Sequence, residues 1–128
     1  MVRAIHADGV PQHSNPIPNA AAHHGFVASS AVMGIDPETG KYPEDKARQV
    51  ALAFDHLRKV MEAAAVDPQD VIKLTLYFAD KADRPLVNPH WLALWPDEPA
   101  RPARHALTGD LPPGCILQVE FLAVTGAR

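Results

Sequence analysis

The sequence predicts an α/β fold, specifically a mixed β-sheet with two helices packed on one of its faces. Helical periodicity is confined to two stretches, runs rich in β-branched residues lie on both sides of them, and Pro and Gly clusters separate the elements. The predicted order is strand, strand, long helix, strand, helix, strand, strand. A chain of 128 residues can bury one core, so residues 1–128 are expected to form a single domain.

The N-terminal third contains two predicted strands. Residues 1–7 form a short edge strand, and residues 8–19 form a loop that includes the X-Pro steps Asn15-Pro16 and Ile17-Pro18. Residues 26–33 read as a second strand of small and β-branched side chains, which Gly34 ends.

Two helices and one strand follow. Apolar residues recur at helical spacing over 43–65, with Pro43, Glu44 and Asp45 in the expected first turn. Residues 71–78 form a β-rich run. A weaker helical pattern covers 80–95, where Pro89 interrupts the helix and Asn88 is a possible cap of its second part.

The last two predicted strands lie on either side of the turn at 110–114. The second of them, 115–124, is apolar on both pleat faces, which indicates burial on both sides. Because the two helices supply one covering layer, the other sheet face is expected to pack against a second copy of the chain. Glu120 in this strand needs a partner if it is buried, and Arg104, which is expected on the neighbouring strand, is the nearest candidate in sequence. A structural ion pair and a ligand site both remain open.

Composition argues against several functional classes. A net charge of −3 with 12 Lys and Arg spread along the chain predicts no nucleic-acid surface, and no stretch resembles a signal peptide or a spanning helix. A cytoplasmic protein without membrane partners is therefore expected. The single cysteine, Cys115, excludes an internal disulfide and is interpreted as a small buried hydrophobe.

Other conspicuous residues receive structural interpretations. Neighbouring residues in an extended segment point to opposite sides, so His23 and His24 are not expected to share a metal. His105 should face away from Arg104 for the same reason, and Trp91 with Trp95, one helical turn apart, is interpreted as core packing. No phosphate-binding glycine motif is present, so no nucleotide cofactor is expected.

Five motifs in order resemble one family over nearly the whole chain. Residues 15–40, NPIPNAAAHHGFVASSAVMGIDPETG, run without a gap alongside the pattern GPYSQAVxxGNxxxxSGQxxxDPxTG. The other four are VMEAAAVDPQDVIKLTLYFAD, the Val-Asn pair at 87–88, Pro-Ala-Arg at 102–104, and Leu-Pro-x-Gly at 111–114 followed by Val-Glu at 119–120. Together these segments resemble the Rid family, the YjgF-like reactive intermediate or imine deaminases.

This resemblance implies a chorismate-mutase-like fold, a homotrimer and ligand clefts between subunits. It implies that Arg104 clamps the carboxylate of a small-molecule substrate and that Glu120 orients or deprotonates a water. That water would attack a 2-imino or enamine acid and release ammonia and a 2-oxo acid, with no metal and no organic cofactor. The residues implied to line the cleft and bind substrate are Ser30, Ala31, Asn88, Ile17 and Ala106.

The sequence departs from the family pattern at three places. Ile17 stands where a tyrosine is common, Ala31 stands where glycine is usual, and the span from Arg104 to Leu111 is one residue short. If the deletion lies in the turn, Arg104 keeps its place. If it lies in the strand, Arg101 or His105 takes part instead.

Two alternatives to a general imine hydrolase follow from these departures: a non-catalytic trimer that binds a small carboxylate as a sensor or chaperone, and a Rid-like hydrolase dedicated to one pathway. A ribonuclease is not favoured, since the sequence shows neither a basic groove nor a pair of catalytic histidines.

Overall fold

The computed structural model describes residues 1–126 and contains one seven-stranded sheet and two α-helices. The helices are α1, Lys46–Ala63, and α2, Asn88–Leu94. Short 3-10 turns occupy Pro68–Asp70, Lys81–Val87 and Glu98–Ala100. The strands are β1 Arg3–Ile5, β2 Ala20–His23, β3 Phe26–Ser29, β4 Val32–Met33, β5 Val71–Phe78, β6 Ala103–Thr108 and β7 Leu117–Val124.

The strand order is β1-β2-β3-β7-β5-β6, and the short β4 also pairs with β7. β5 and β6 run parallel, and every other pairing within residues 1–126 is antiparallel. A parallel pair requires a crossover connection, which the segment containing α2 provides. Residues of both helices join the same buried core as the inner face of the sheet. The predicted mixed sheet with two helices on one face is thereby confirmed.

The long helix begins later than predicted. Asp45 is the N-cap, and its carboxylate accepts hydrogen bonds from the backbone N–H groups of Ala47 and Arg48 at 3.0 and 3.3 Å. Because a capping side chain satisfies N–H groups that have no partner inside the helix, the cap fixes the start at Lys46. Pro43 therefore precedes the helix and does not belong to its first turn.

Other predictions of local structure also differ from the structure. The strand predicted at 26–33 is two short strands, β3 and β4, and β2 was missed. The helix predicted at 80–95 is a 3-10 turn followed by α2. Pro89 lies in the first turn of α2, where a proline costs no hydrogen bond, and it interrupts nothing. Asn88 is the first residue of α2 and does not cap it through its side chain.

The two closing strands are not neighbours in the sheet. β5 lies between β6 and β7 and pairs with both along its whole length. The turn between the closing strands is held instead by Gln49 of α1. Its amide donates to the carbonyls of Pro43 and Gly114 at 3.1 and 3.0 Å and accepts from the N–H of Ile116 at 2.7 Å. These bonds set where β7 begins.

No helix among the described residues 1–126 packs on the outer face of the sheet. Along β7, Leu117, Val119, Phe121 and Ala123 are buried, and the alternating residues between them are half-buried or exposed. The prediction of burial on both faces therefore does not hold for one copy of the chain. We call this uncovered side of the sheet the open face. Within residues 1–126, no helix is both long enough and apolar enough to cross a membrane.

Candidate active site

Arg104 lies on the helix-covered side of the sheet, at its β6 edge. In register it pairs with Leu74 of β5, which in turn pairs with Phe121 of β7, and both of these partners are buried in the core. Paired residues on neighbouring strands share a face. Because β6 is the edge strand, the guanidinium reaches past the core to α2 and remains partly accessible to solvent.

Two side chains of α2 orient the guanidinium of Arg104. Nη1 donates a hydrogen bond to Oδ1 of Asn88 at 3.0 Å, and Cζ lies 5.1 Å from the ring centroid of Trp91, a cation–π contact. Partial burial lowers the pKa of Arg104, and the nearby positive charge of Arg84 lowers this pKa further. The guanidinium is nevertheless cationic at any physiological pH.

A cleft of about 570 Å³ opens beside this arginine; we call it the Arg104 cleft. Its lining consists of Lys81, Ala82, Arg84, Pro85, Asn88, Trp91, Arg104 and Ala106. Three of these side chains are cationic and none is a carboxylate. Among residues 1–126, no ion pair involves any of the three cations. The Arg104 cleft is therefore suited to an anionic ligand.

Glu120 lies on the open face, on the other side of the sheet from Arg104. Glu120 pairs with Thr75 of β5, and Thr75 pairs with His105 of β6. Each of these residues is next in sequence to one in the paired row that contains Arg104, so their side chains point to the opposite face of the sheet. A shallow depression holds Glu120 together with Lys73 and Thr75. Two strand spacings, about 10 Å, also separate β7 from β6. The expectation that Arg104 and Glu120 stand on neighbouring strands was wrong, since β5 lies between them.

The strand register shows which way the side chains before the shortened span point. Arg104 points toward α2 and the Arg104 cleft, whereas His105 faces the other way, as predicted. Arg101 is committed to the backbone: Nε donates to the carbonyl of Trp95 at 2.9 Å and Nη2 to that of Pro96 at 3.3 Å. Neither Arg101 nor His105 lines the Arg104 cleft.

The other expected cleft residues divide into two groups. Asn88 and Ala106 line the Arg104 cleft. Ser30 lies elsewhere, next to the N-terminal loop, where its hydroxyl donates to the carbonyl of Pro18 at 2.7 Å. Ala31 borders a small crevice beside that loop, and the side chain of Ile17 is exposed. Within one copy of the chain these three residues do not line the cleft that contains Arg104.

Lys81, Arg84 and Trp91 are site residues that sequence reasoning missed. The first two lie in the 3-10 turn, more than fifteen residues before Arg104, and only the crossover from β5 to β6 brings them to its side. Trp91 is buried, as the core interpretation predicted, and its ring also supports the guanidinium. A cationic or aromatic residue does not stand out in a sequence as a site residue when its distance from Arg104 in the fold is unknown.

The remaining reactive side chains do not form a second site. Cys115 is buried, as predicted, and burial raises the pKa of its thiol, so the thiol stays protonated and weakly nucleophilic. Its Sγ lies 3.4 Å from the carbonyl oxygen of Leu117. In the part of the chain that the structure describes, no three His, Cys, Asp or Glu residues are grouped so that they would hold a metal ion.

Comparison with known proteins identifies the class to which this fold and cleft belong. A family model described as Endoribonuclease L-PSP matches residues 10–125, which is most of the chain. The chain therefore belongs to this family, the Rid or YjgF-like group that the sequence motifs indicated.

Individual relatives are distant but match from end to end. A RutC family protein of Aquifex aeolicus is 28% identical over 124 residues, with 96% of this chain and 99% of the relative covered. The 2-iminobutanoate/2-iminopropanoate deaminase of Escherichia coli is 26% identical over 126 residues, with 97% and 98% covered. The crystal structure of RidA from Psychrobacter sp. PAMC 21119 has a TM-score of 0.84 at 28% identity and covers 95% of this chain and 98% of its own. The sequence relationship and the fold therefore agree.

Proposed function

We propose that this protein hydrolyses 2-imino acids or their enamine tautomers and releases ammonia and a 2-oxo acid. The observation that supports this most directly is Arg104, which Asn88 and Trp91 orient in a cleft without a carboxylate in its lining. A guanidinium matches the two oxygens of a substrate carboxylate in its plane. Distant relatives named as 2-iminobutanoate/2-iminopropanoate deaminases add to the case.

In the proposed reaction, Arg104 binds the carboxylate next to the C=N carbon. Glu120 takes a proton from water as the water oxygen attacks that carbon, and it passes this proton to the imine nitrogen. In the resulting carbinolamine the proton of the hydroxyl moves to the amine nitrogen as the C–N bond breaks, so that ammonia leaves and the oxygen becomes the carbonyl of the 2-oxo acid. The chemistry needs positioning and one base, for which Arg104 and Glu120 suffice.

Because these two groups lie on opposite faces of one sheet, the proposed site is completed by a second copy of the chain. The open face has apolar side chains for such contact: Phe26 is 56% exposed and Leu122 is 36% exposed. We propose a homotrimer in which Arg104 of one copy meets Glu120, Ser30 and Ala31 of its neighbour. Light scattering during size-exclusion chromatography tests the assembly, and a monomer at micromolar concentration contradicts it.

The activity is tested by generating 2-iminopropanoate in solution with an amino-acid oxidase and following its disappearance. Wild type should accelerate its loss, and Arg104→Gln should remove most of the acceleration. Arg3→Gln is the matched control, because Arg3 is exposed on β1 at the other end of the sheet. Wild type without acceleration, or full activity in Arg104→Gln, refutes the proposal.

A non-catalytic trimer that binds a small carboxylate is the second candidate. The exposed Ile17, which offers no hydroxyl to the site, favours it. Calorimetry with pyruvate separates the two: binding without turnover supports the sensor, whereas turnover that Glu120→Gln abolishes while binding persists supports the hydrolase. Ribonuclease activity is not proposed, because the lining of the cleft contains neither a histidine nor a carboxylate to act on a phosphodiester.

A further inference from the structure

The Arg104 cleft contains more positive charge than one carboxylate neutralises. Lys81 and Arg84 line it together with Arg104, and these two also line an adjoining pocket of about 340 Å³. That pocket extends the cleft along β6 toward Thr108. The cations therefore form a row, with Arg104 at the α2 end and Lys81 and Arg84 beside the extension.

Within residues 1–126, no acidic side chain lines the cleft or its extension. Asp83 lies in the same 3-10 turn, but both of its oxygens accept hydrogen bonds from Nζ of Lys46, at 3.0 and 3.1 Å. Asp80 caps the turn and accepts from the N–H of Ala82 at 2.9 Å. Asp83 is thus paired with Lys46, Asp80 is bound to the backbone of its own turn, and neither carboxylate lines the cleft or its extension. The closeness of Arg84 also lowers the pKa of Arg104, as expected for like charges that face each other without a counter-ion.

Arg84 is held in place by its own turn. Its Nε donates to the backbone carbonyl of Lys81 at 3.3 Å, which leaves the two terminal nitrogens of the guanidinium for a ligand. Arg84 is an exposed residue, so its pull on an anion is screened by salt and is weaker than that of Arg104.

From this arrangement we infer that the preferred substrates are 2-imino dicarboxylic acids, the imines of acidic amino acids. Arg104 binds the carboxylate next to the imine carbon, and Arg84 with Lys81 binds the second carboxylate in the extension. This inference rests on the proposed function and names the substrate class of that same cleft. The reaction that supplies such a substrate is the two-electron oxidation of an acidic amino acid to its imine, in which an amino-acid oxidase or dehydrogenase transfers the hydride from the α-carbon to its cofactor.

Stable 2-oxo acids test the inference without any turnover. We compare 2-oxoglutarate with 2-oxopentanoate, which has the same number of carbons and no second carboxylate, by calorimetry at low and physiological salt. Wild type should bind 2-oxoglutarate about 10-fold more tightly, in line with one additional partly exposed charge-assisted contact. Added salt should reduce the preference.

Variants assign that preference to the row of cations. The double variant Lys81→Gln/Arg84→Gln should reduce the ratio of the two affinities to nearly one, and Arg104→Gln should weaken both ligands. Arg3→Gln, the control at the far end of the sheet, should keep the wild-type ratio. A wild-type ratio of one or less overturns the inference, and so does a ratio that survives the double variant.

Turnover provides a separate readout. The imines of glutamate and norvaline are generated in solution, and the ratio of their kcat/KM values should follow the ratio of affinities. If neither imine is hydrolysed faster with protein, the deaminase proposal fails, while the affinity ratio still decides the inference about the second carboxylate. If both are hydrolysed with equal kcat/KM, the deaminase proposal stands and the inference is wrong.

Discussion

Replacing Asn88 with Asp separates a binding role of Arg104 from a purely structural one. The wild-type amide accepts a hydrogen bond from Nη1 at 3.0 Å and leaves the charge of the guanidinium uncompensated. A carboxylate of the same shape would keep this contact and turn it into an ion pair. It would therefore hold the arginine in place and at the same time neutralise the charge that a ligand needs.

The expected loss follows from Coulomb's law. Opposite unit charges about 4 Å apart attract by about 1 kcal/mol in water and by about 4 kcal/mol at an effective dielectric constant of about 20. The Arg104 cleft is open to solvent on one side, so an intermediate value of about 2.7 kcal/mol is appropriate, which is about 100-fold in affinity. The melting temperature should stay the same or rise, because the new ion pair adds a contact.

The assay is calorimetry with pyruvate together with a thermal melt of each variant. Asn88→Ala serves as a comparison, since it removes the contact without adding charge, and it should cost about 10-fold in affinity. The reasoning is refuted if Asn88→Asp binds pyruvate as tightly as wild type. It is equally refuted if the Asp variant loses affinity only in proportion to a loss of stability.

Three predictions concern the scaffold of the site. Gln49→Leu removes three hydrogen bonds, including the one from the N–H of Ile116, and should lower the free energy of unfolding in urea by about 3–5 kcal/mol. Gly34→Ala places a methyl group against the backbone carbonyl of Gln49 and should cost about 2–3 kcal/mol, whereas Gly109→Ala, which meets no atom within 4 Å, should cost little; equal effects would contradict this packing. Burial lowers the pKa of His90, so the contribution of neutral His90 to stability is present above a pH of about 6.5 and is lost as the pH falls through the folded-state pKa. The melting temperature of His90→Gln should therefore fall less between pH 7 and pH 5 than that of wild type. Equal dependence of the two melting temperatures on pH would refute this.

The fold could be predicted where a local pattern is strong. β5 has the bounds that its run of β-branched and aromatic residues indicates, because an uninterrupted run fits a pleated, buried surface. β2 was missed because its sequence, Ala-Ala-Ala-His, has little preference for a strand. It is a strand because β1 and β3 pair with it on both sides. A local sequence pattern does not reveal that a segment will pair with two other strands.

The pairing of the last two strands could not be predicted for a related reason. A short turn between two strands favours a hairpin, and the chain instead inserts β5 between them. The turn is held by Gln49, which comes from a helix more than sixty residues earlier. The sequence therefore indicated Arg104 as a candidate, but not the face it occupies or the cations Lys81 and Arg84 that line the same cleft.

The division of the candidate site between two faces of one sheet has a consequence for its chemistry. The residues that line the cationic Arg104 cleft belong to one copy and come from α2, the 3-10 turn and β6. Glu120, the proposed base, lies on the open face, whereas the substrate of the same copy would bind on the opposite face, beside Arg104. Binding and hydrolysis are thus expected to depend differently on assembly: a dissociated copy should still bind a carboxylate, while water activation requires a neighbour that presents Glu120. Under the proposed function, hydrolysis is therefore expected only in the assembled protein, because Arg104 and Glu120 of one copy cannot act on the same substrate.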